Sequence, residues 1–128
     1  MKRLLAALAT SLLAPAAAGA PLDLAADAAA GQTTLTAFAA GAGQNGLTLP
    51  VSTAVHPLTG RLFVADRNNH RILSWISASA YATGASADIV VGQPDFATVT
   101  GGTTASKLAF PYGVAVDETG NLYVSDQG

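Results

Sequence analysis

The sequence predicts an all-β fold assembled from copies of one four-stranded unit. Three observations predict it. The first is a repeat at a spacing of 61 residues. Ala26-Asp27, Gly31-Gln32, Gly41, Leu47, Pro50 and Ala54-Val55 return as Ala87-Asp88, Gly92-Gln93, Gly102, Leu108, Pro111 and Ala115-Val116. After a one-residue slip in a turn, Thr59-Gly60-x-Leu62-x-Val64-x-Asp66 returns as Thr119-Gly120-x-Leu122-x-Val124-x-Asp126. The second is that runs between turn signals are short and rich in β-branched and aromatic residues, as strands are. The third is that these runs look apolar on both faces, the pattern of sheets covered on both sides. A unit of this kind cannot bury its own faces and must stack on its neighbours.

Residues 1–20 stand apart. Lys2 and Arg3 precede an apolar run from Leu4 to Ala18, and the small residues Ala16-Ala17-Ala18-Gly19-Ala20 close it. This is the pattern of a secretory signal peptide, with cleavage expected after Ala18 or Ala20. The run is short for a membrane span, and no later segment is long and apolar enough for one. The remainder, 21–128, carries four basic residues (Arg61, Arg67, Arg71, Lys107) against eight acidic ones. That balance excludes a basic surface for nucleic acid or an anionic membrane. Cysteine is absent, which for an exported chain suits a bacterial periplasmic or extracellular protein better than a small eukaryotic secreted domain.

The repeat units run over 26–86 and 87–128. In the first, Ala28-Ala29-Ala30 aligns with Ile89-Val90-Val91 of the second, so the alanines are read as a weak strand and not a helix. Residues 51–55 and 61–65 form a hairpin across His56-Pro57-Leu58-Thr59-Gly60, where proline presets φ and glycine supplies the left-handed position. Residues 71–76 are the third strand, after Asn68-Asn69. Residues 77–87 make the next turn, and 89–92 the fourth strand, ended by Gly92-Gln93-Pro94. Residues 98–106, rich in Gly and Thr, are a loop. The second hairpin pairs 112–116 with 121–125 across Asp117-Glu118-Thr119-Gly120. Four short antiparallel strands per repeat are the signature of a β-propeller blade.

The motifs within these strands point further. Pro50, Ala54-Val55, Gly60-Arg61-Leu62-Phe63-Val64-Ala65-Asp66 and Asn69-His70-Arg71-Ile72 in the first unit resemble NHL-repeat β-propellers of bacterial, exported proteins. So do Phe110-Pro111-Tyr112-Gly113-Val114-Ala115-Val116-Asp117 and Gly120-Asn121-Leu122-Tyr123-Val124-Ser125-Asp126 in the second, and the segment Asp88 to Phe96. Ser52, where the family has Gly, and His56-Pro57, where it has Asp, depart from the pattern. The resemblance implies an incomplete NHL-type propeller, about one and a half blades plus an N-terminal outer strand over 28–31. The remaining blades of a longer chain would close the ring. It implies inner strands at 51–55 and 112–116, and it implies a binding module for a protein or extracellular polymer. The alternative it leaves open is a metal-dependent lyase or lactonase whose catalytic residues lie beyond Gly128.

The polar residues are weighed accordingly. Asp66, Asn69 and Arg71, with Asp126 in the second unit, recur as a motif and read as scaffold: a capped turn and an ion pair across the hairpin. Asp117 and Gly120 read as turn residues, and Glu118 as a solvated charge. His56, at the end of an inner strand, is the one weak candidate for a metal ligand, but a catalytic zinc site needs three protein ligands. His70 is expected at the surface. Trp75 and Phe63 read as packing between units. No cofactor is expected, and no nucleophile, zinc-protease, phosphate-loop or calcium-loop motif occurs.

Overall fold

The structure, a computed structural model, describes residues 4–5, 28–35, 37 and 39–128. The expected signal peptide and its cleavage points lie outside these residues, apart from Leu4–Leu5. The described part is all-β, with no α-helix, and both of its larger strand assemblies are antiparallel. Strand β1 (Leu4–Leu5) pairs in parallel with β2 (Ala28–Ala29). A four-stranded meander follows: β3 (Pro50–Val55), β4 (Leu62–Asp66), β5 (Arg71–Trp75) and β6 (Ile89–Val91), hydrogen-bonded in that order. A single 3-10 turn, Arg67–Asn69, joins β4 to β5. The second unit forms the hairpin β7 (Pro111–Val116) and β8 (Leu122–Asp126).

Period-2 alternation divides the side chains of the meander between two cores. Leu62, Val64, Leu73 and Trp75 point to one face, where they join Ala28, Ala30, Leu47, Tyr81 and Ala87. Phe63, Ala65 and Ile72 point to the other, where Val51 and the second unit's Leu108, Val114, Val116, Leu122 and Val124 pack against them. The first sheet is therefore covered on both sides, as its doubly apolar strands require. Trp75 and Phe63 both pack between layers, but on opposite faces. Trp75 meets Tyr81 edge-on at 5.6 Å and donates its indole N–H to Ala85 O at 2.9 Å.

The 61-residue repeat holds at the level of backbone detail. Gly31 and Gly92 both have positive φ, 76° and 89°, and a Cβ built on either would lie 2.6 Å from the side chain of Leu47 or Leu108. Only glycine lets the chain turn there and lets that leucine close over it. Gly41 and Gly102 donate to Leu47 O and Leu108 O, each at 3.1 Å. Gln32 and Gln93 donate through Nε2 to Ala39 O and Thr100 O. Leu49 and Phe110 take left-handed φ values of 55° and 60° directly before Pro50 and Pro111. A β-bulge follows each proline, between Pro50 and Ser52 and between Pro111 and Gly113.

Two expectations need correction. The strand expected over 28–31 shortens to Ala28–Ala29, because Gly31 turns the chain. Among the described residues its partner is β1. The small alanine side chains let this segment lie directly on the first sheet, with Ala28 and Ala30 buried in its core. His70, expected at the surface, is half-buried between the units. It holds a left-handed φ of 54°, its ring meets Phe110 edge-on at 4.3 Å, and its Nδ1 accepts from Phe110 N at 3.1 Å.

Candidate functional site

The densest polar site lies at the β4–β5 turn. Asp66 ends β4 and Arg71 begins β5, so the antiparallel register sets them opposite each other. Both side chains are fully buried, with Arg71 Nε 2.8 Å from Asp66 Oδ2. The same oxygen accepts from Asn69 Nδ2 at 2.8 Å, and Oδ1 accepts from Thr48 N at 2.6 Å. Arg71 uses its remaining donors on backbone carbonyls: Nη2 on Gly46 O at 3.0 Å, and Nη1 on Phe96 O. Asn69 reaches Gly41 O at 2.9 Å. Burial pushes the Asp66 carboxyl up from its ordinary value, and the hydrogen bonds from Thr48, Asn69 and Arg71 pull against it. The residues expected as a motif are therefore brought together, but as a clamp. The arginine and asparagine pin the 41–48 loop and the Phe96 segment onto the sheet. Asp66 makes no side-chain cap on the 3-10 turn; its backbone partner is Thr48, across the loop.

In the second unit Asp126 takes the same post. Both its oxygens accept from Ala109 N, at 3.0 and 2.8 Å, and Ala109 is the counterpart of Thr48. Each aspartate thus secures the N–H just before the left-handed residue and its proline. Such a conformation costs about 1–3 kcal/mol and persists only where its surroundings hold it. Unlike Asp66, Asp126 is exposed.

The hairpin turns use the other polar residues. His56 Nδ1 accepts from Leu58 N and Thr59 N, each at 3.2 Å. The ring acts as an aspartate does in an Asx turn, which fixes the proton on Nε2. At the matching position Asp117 Oδ1 accepts from Thr119 N (3.0 Å), Thr119 Oγ1 (2.8 Å) and Asn121 N (2.9 Å), while Oδ2 accepts from Asn121 Nδ2 (2.8 Å) and Tyr123 OH (3.1 Å). Led by the Asn121 amide, these donors hold its carboxyl far below the usual carboxylate range. Asp117 in turn pushes the Tyr123 hydroxyl up. A carboxylate this fully engaged is a poor proton acceptor. Gly120 has φ 90° and closes the turn by donating to Asp117 O at 3.1 Å; Glu118 is exposed.

Arg61 and Asp88 form a bidentate pair at 2.8 and 2.9 Å between β4 and β6, with Ser74 Oγ 3.1 Å from the same guanidinium. Arg61 holds the Asp88 carboxyl below its ordinary value. Among the described residues no three His, Asp or Glu stand together as a metal site would require, and no helix is long and apolar enough to cross a membrane.

One face remains open. On the hairpin β7–β8, the side opposite the first unit bears Tyr123, Ser125, Ala115 and Gly113. With Val114, Val124 and the first unit's Ser52 they line a shallow groove of about 420 Å³ at the edge of the hairpin. Tyr112 and Tyr123 are 56% and 58% exposed there, where their counterparts Val51 and Phe63 are packed under the second unit. No protein-family model matches the chain, and no curated protein matches it.

Proposed function

We propose that the chain is a non-catalytic binding scaffold of the NHL-type β-propeller kind, exported to the periplasm or cell exterior, whose open surfaces take a protein or an extracellular polymer. One observation carries this reading: several of the chain's ionisable side chains are spent on internal contacts. Asp66 and Arg71 are consumed by the clamp, Asp117 by its turn and Arg61 by Asp88. The stacking of the second hairpin on the first sheet supports the propeller form, because each unit presents a receiving face to the next. For the alternative, a metal-dependent lyase or lactonase, His56 is the ligand at hand. Its Nδ1 already serves two backbone N–H groups, and Asp117 and Glu118 do not converge with it.

Metal analysis of the purified chain tests the choice. The scaffold reading expects no stoichiometric ion, and no change on His56→Gln. A stoichiometric metal lost on that substitution would overturn it. Export is tested by sequencing the N-terminus of periplasmic protein, expected to begin at Gly19 or Pro21.

A further inference from the structure

We infer that Asn45 is a site of spontaneous covalent modification. It deamidates to isoaspartate, and the altered backbone withdraws Gly46 O from Arg71 and loosens the Asp66–Arg71 clamp. The inference goes beyond the scaffold reading and does not depend on it.

The chemistry needs a backbone nitrogen free to attack an asparagine carboxamide. Asn45-Gly46 is the chain's one Asn-Gly pair, and glycine has no side chain to hinder the approach. Asn45 is exposed. Among the described residues neither its carboxamide nor the Gly46 N–H has a hydrogen-bond partner. The fold itself demands the glycine: a Cβ at 46 would lie 2.6 Å from Ala42 O and 2.7 Å from the Gly41 carbonyl carbon, both backbone atoms. The other asparagines are engaged, and each precedes a bulkier residue. Asn69 donates to Asp66 and Gly41 O, Asn121 donates to Asp117 and Thr119, and Asn68 accepts from Arg67. In the second unit the positions matching Asn45 and Gly46 hold Ser106 and Lys107, so the chemistry belongs to the first unit.

The Gly46 nitrogen gives up its proton to solvent and bonds to Asn45 Cγ, and the carboxamide nitrogen leaves as ammonia. Water then opens the cyclic imide. Opening at Cγ leaves an ordinary aspartate. Opening at the α-carbonyl carbon leaves the main chain running through Cβ and Cγ, an isoaspartate whose α-carboxylate is free. That added carbon falls between two fastened points. On one side Gln44 O accepts from Ala87 N at 2.7 Å, and Gln44 Nε2 donates to Ala87 O at 3.3 Å. On the other Gly46 O accepts from Arg71 Nη2 at 3.0 Å, and Leu47 is buried in the first core. The lengthened segment cannot keep both, and the Gly46 carbonyl, beside the new linkage, is the one that moves. The buried Arg71 guanidinium then loses an acceptor, and a buried donor without a partner is costly.

The test ages the whole folded chain at mildly alkaline pH and physiological temperature. Peptide mapping by mass spectrometry, with labelling by an isoaspartate-specific methyltransferase, should find isoaspartate at position 45 ahead of any change at Asn68, Asn69 or Asn121. The isoaspartate fraction, separated by ion exchange through its new charge, should unfold at a lower urea midpoint than fresh protein when followed by Trp75 fluorescence. Asn45→Gln should age without either change. Asn45→Asp, measured fresh, carries the new charge without the added backbone carbon and should keep the midpoint of the natural chain. Both substitutions fall on an exposed side chain without partners, so neither threatens folding. Absence of isoaspartate at 45, equal modification of the other asparagines, an unshifted midpoint in the isoaspartate fraction, or an equal shift in Asn45→Asp would each overturn the inference.

Discussion

The two copies of the aspartate offer a controlled comparison within one molecule. Asp66 and Asp126 end equivalent strands, face equivalent prolines across the hairpin, and accept from equivalent backbone N–H groups. They differ in burial and in partners. Asp66→Ala strands the fully buried Arg71 guanidinium and leaves Thr48 N and Asn69 Nδ2 without their acceptor. Breaking one half of a buried ion pair costs about 3–5 kcal/mol, because the surviving charge stays out of water. Asp126→Ala removes an exposed acceptor from one N–H, which is worth about 1 kcal/mol. A domain of this size has about 5–15 kcal/mol in total, so the first substitution removes a large share of stability and the second a small one. Urea unfolding followed by Trp75 fluorescence, with circular dichroism alongside, measures both. Equal losses, or a larger loss at Asp126, would refute the view that burial and the arginine, and not the turn alone, make this residue the clamp. The double substitution Asp66→Leu with Arg71→Met should recover part of the loss, since an apolar pair leaves no stranded charge.

Three further outcomes follow from the same contacts. In the first unit the bulge pairs Ser52 with Ala65; in the second, Gly113 pairs with Ser125, whose Oγ would lie 2.8 Å from a Cβ at 113. Gly113→Ser should therefore cost about 1–3 kcal/mol, and Ser125→Ala in the same chain should restore most of it in thermal melts. His56→Ala should cost about 1–2 kcal/mol by leaving two turn N–H groups without their acceptor, while His56→Asp should cost less, and the difference is read from urea midpoints. Asp117 has a depressed folded-state pKa, so the stability it contributes is present above its unfolded value of about 3.9 and is lost as pH falls toward the folded one. The Tm advantage of the natural chain over Asp117→Asn should accordingly be full at neutral pH and shrink below about pH 4.

Apart from the alanine strand at 28–31, the strands and hairpin turns were legible in the sequence to within a residue or so, because alternation and turn chemistry are local. Gly60 and Gly120 take the left-handed φ their turns demand, and Asp117 bonds the residues two and four ahead of it. The clamp was legible only as a motif. Its partners across the fold are the carbonyls of Gly41, Gly46 and Phe96, and a carbonyl carries no side-chain identity. The site of His70 was not legible either, because its neighbours Gly101 and Phe110 belong to the next unit. The exchange of serine between Ser52 and Ser125 could have been found by comparing cross-strand partners in the two copies. The parallel contact of Ala28–Ala29 with Leu4–Leu5 could not, because two-residue strands leave no periodicity to read.

The central claim is that one repeat unit stacks on the next, burying Phe63, Ala65 and Ile72 under the second hairpin. Nuclear Overhauser contacts in the isotope-labelled whole chain test it most directly. The account predicts cross-peaks from the Phe63 ring and the Ala65 and Ile72 methyls to the methyls of Val114, Val116, Leu122 and Val124. A hairpin that forms but shows none of these cross-peaks would contradict it.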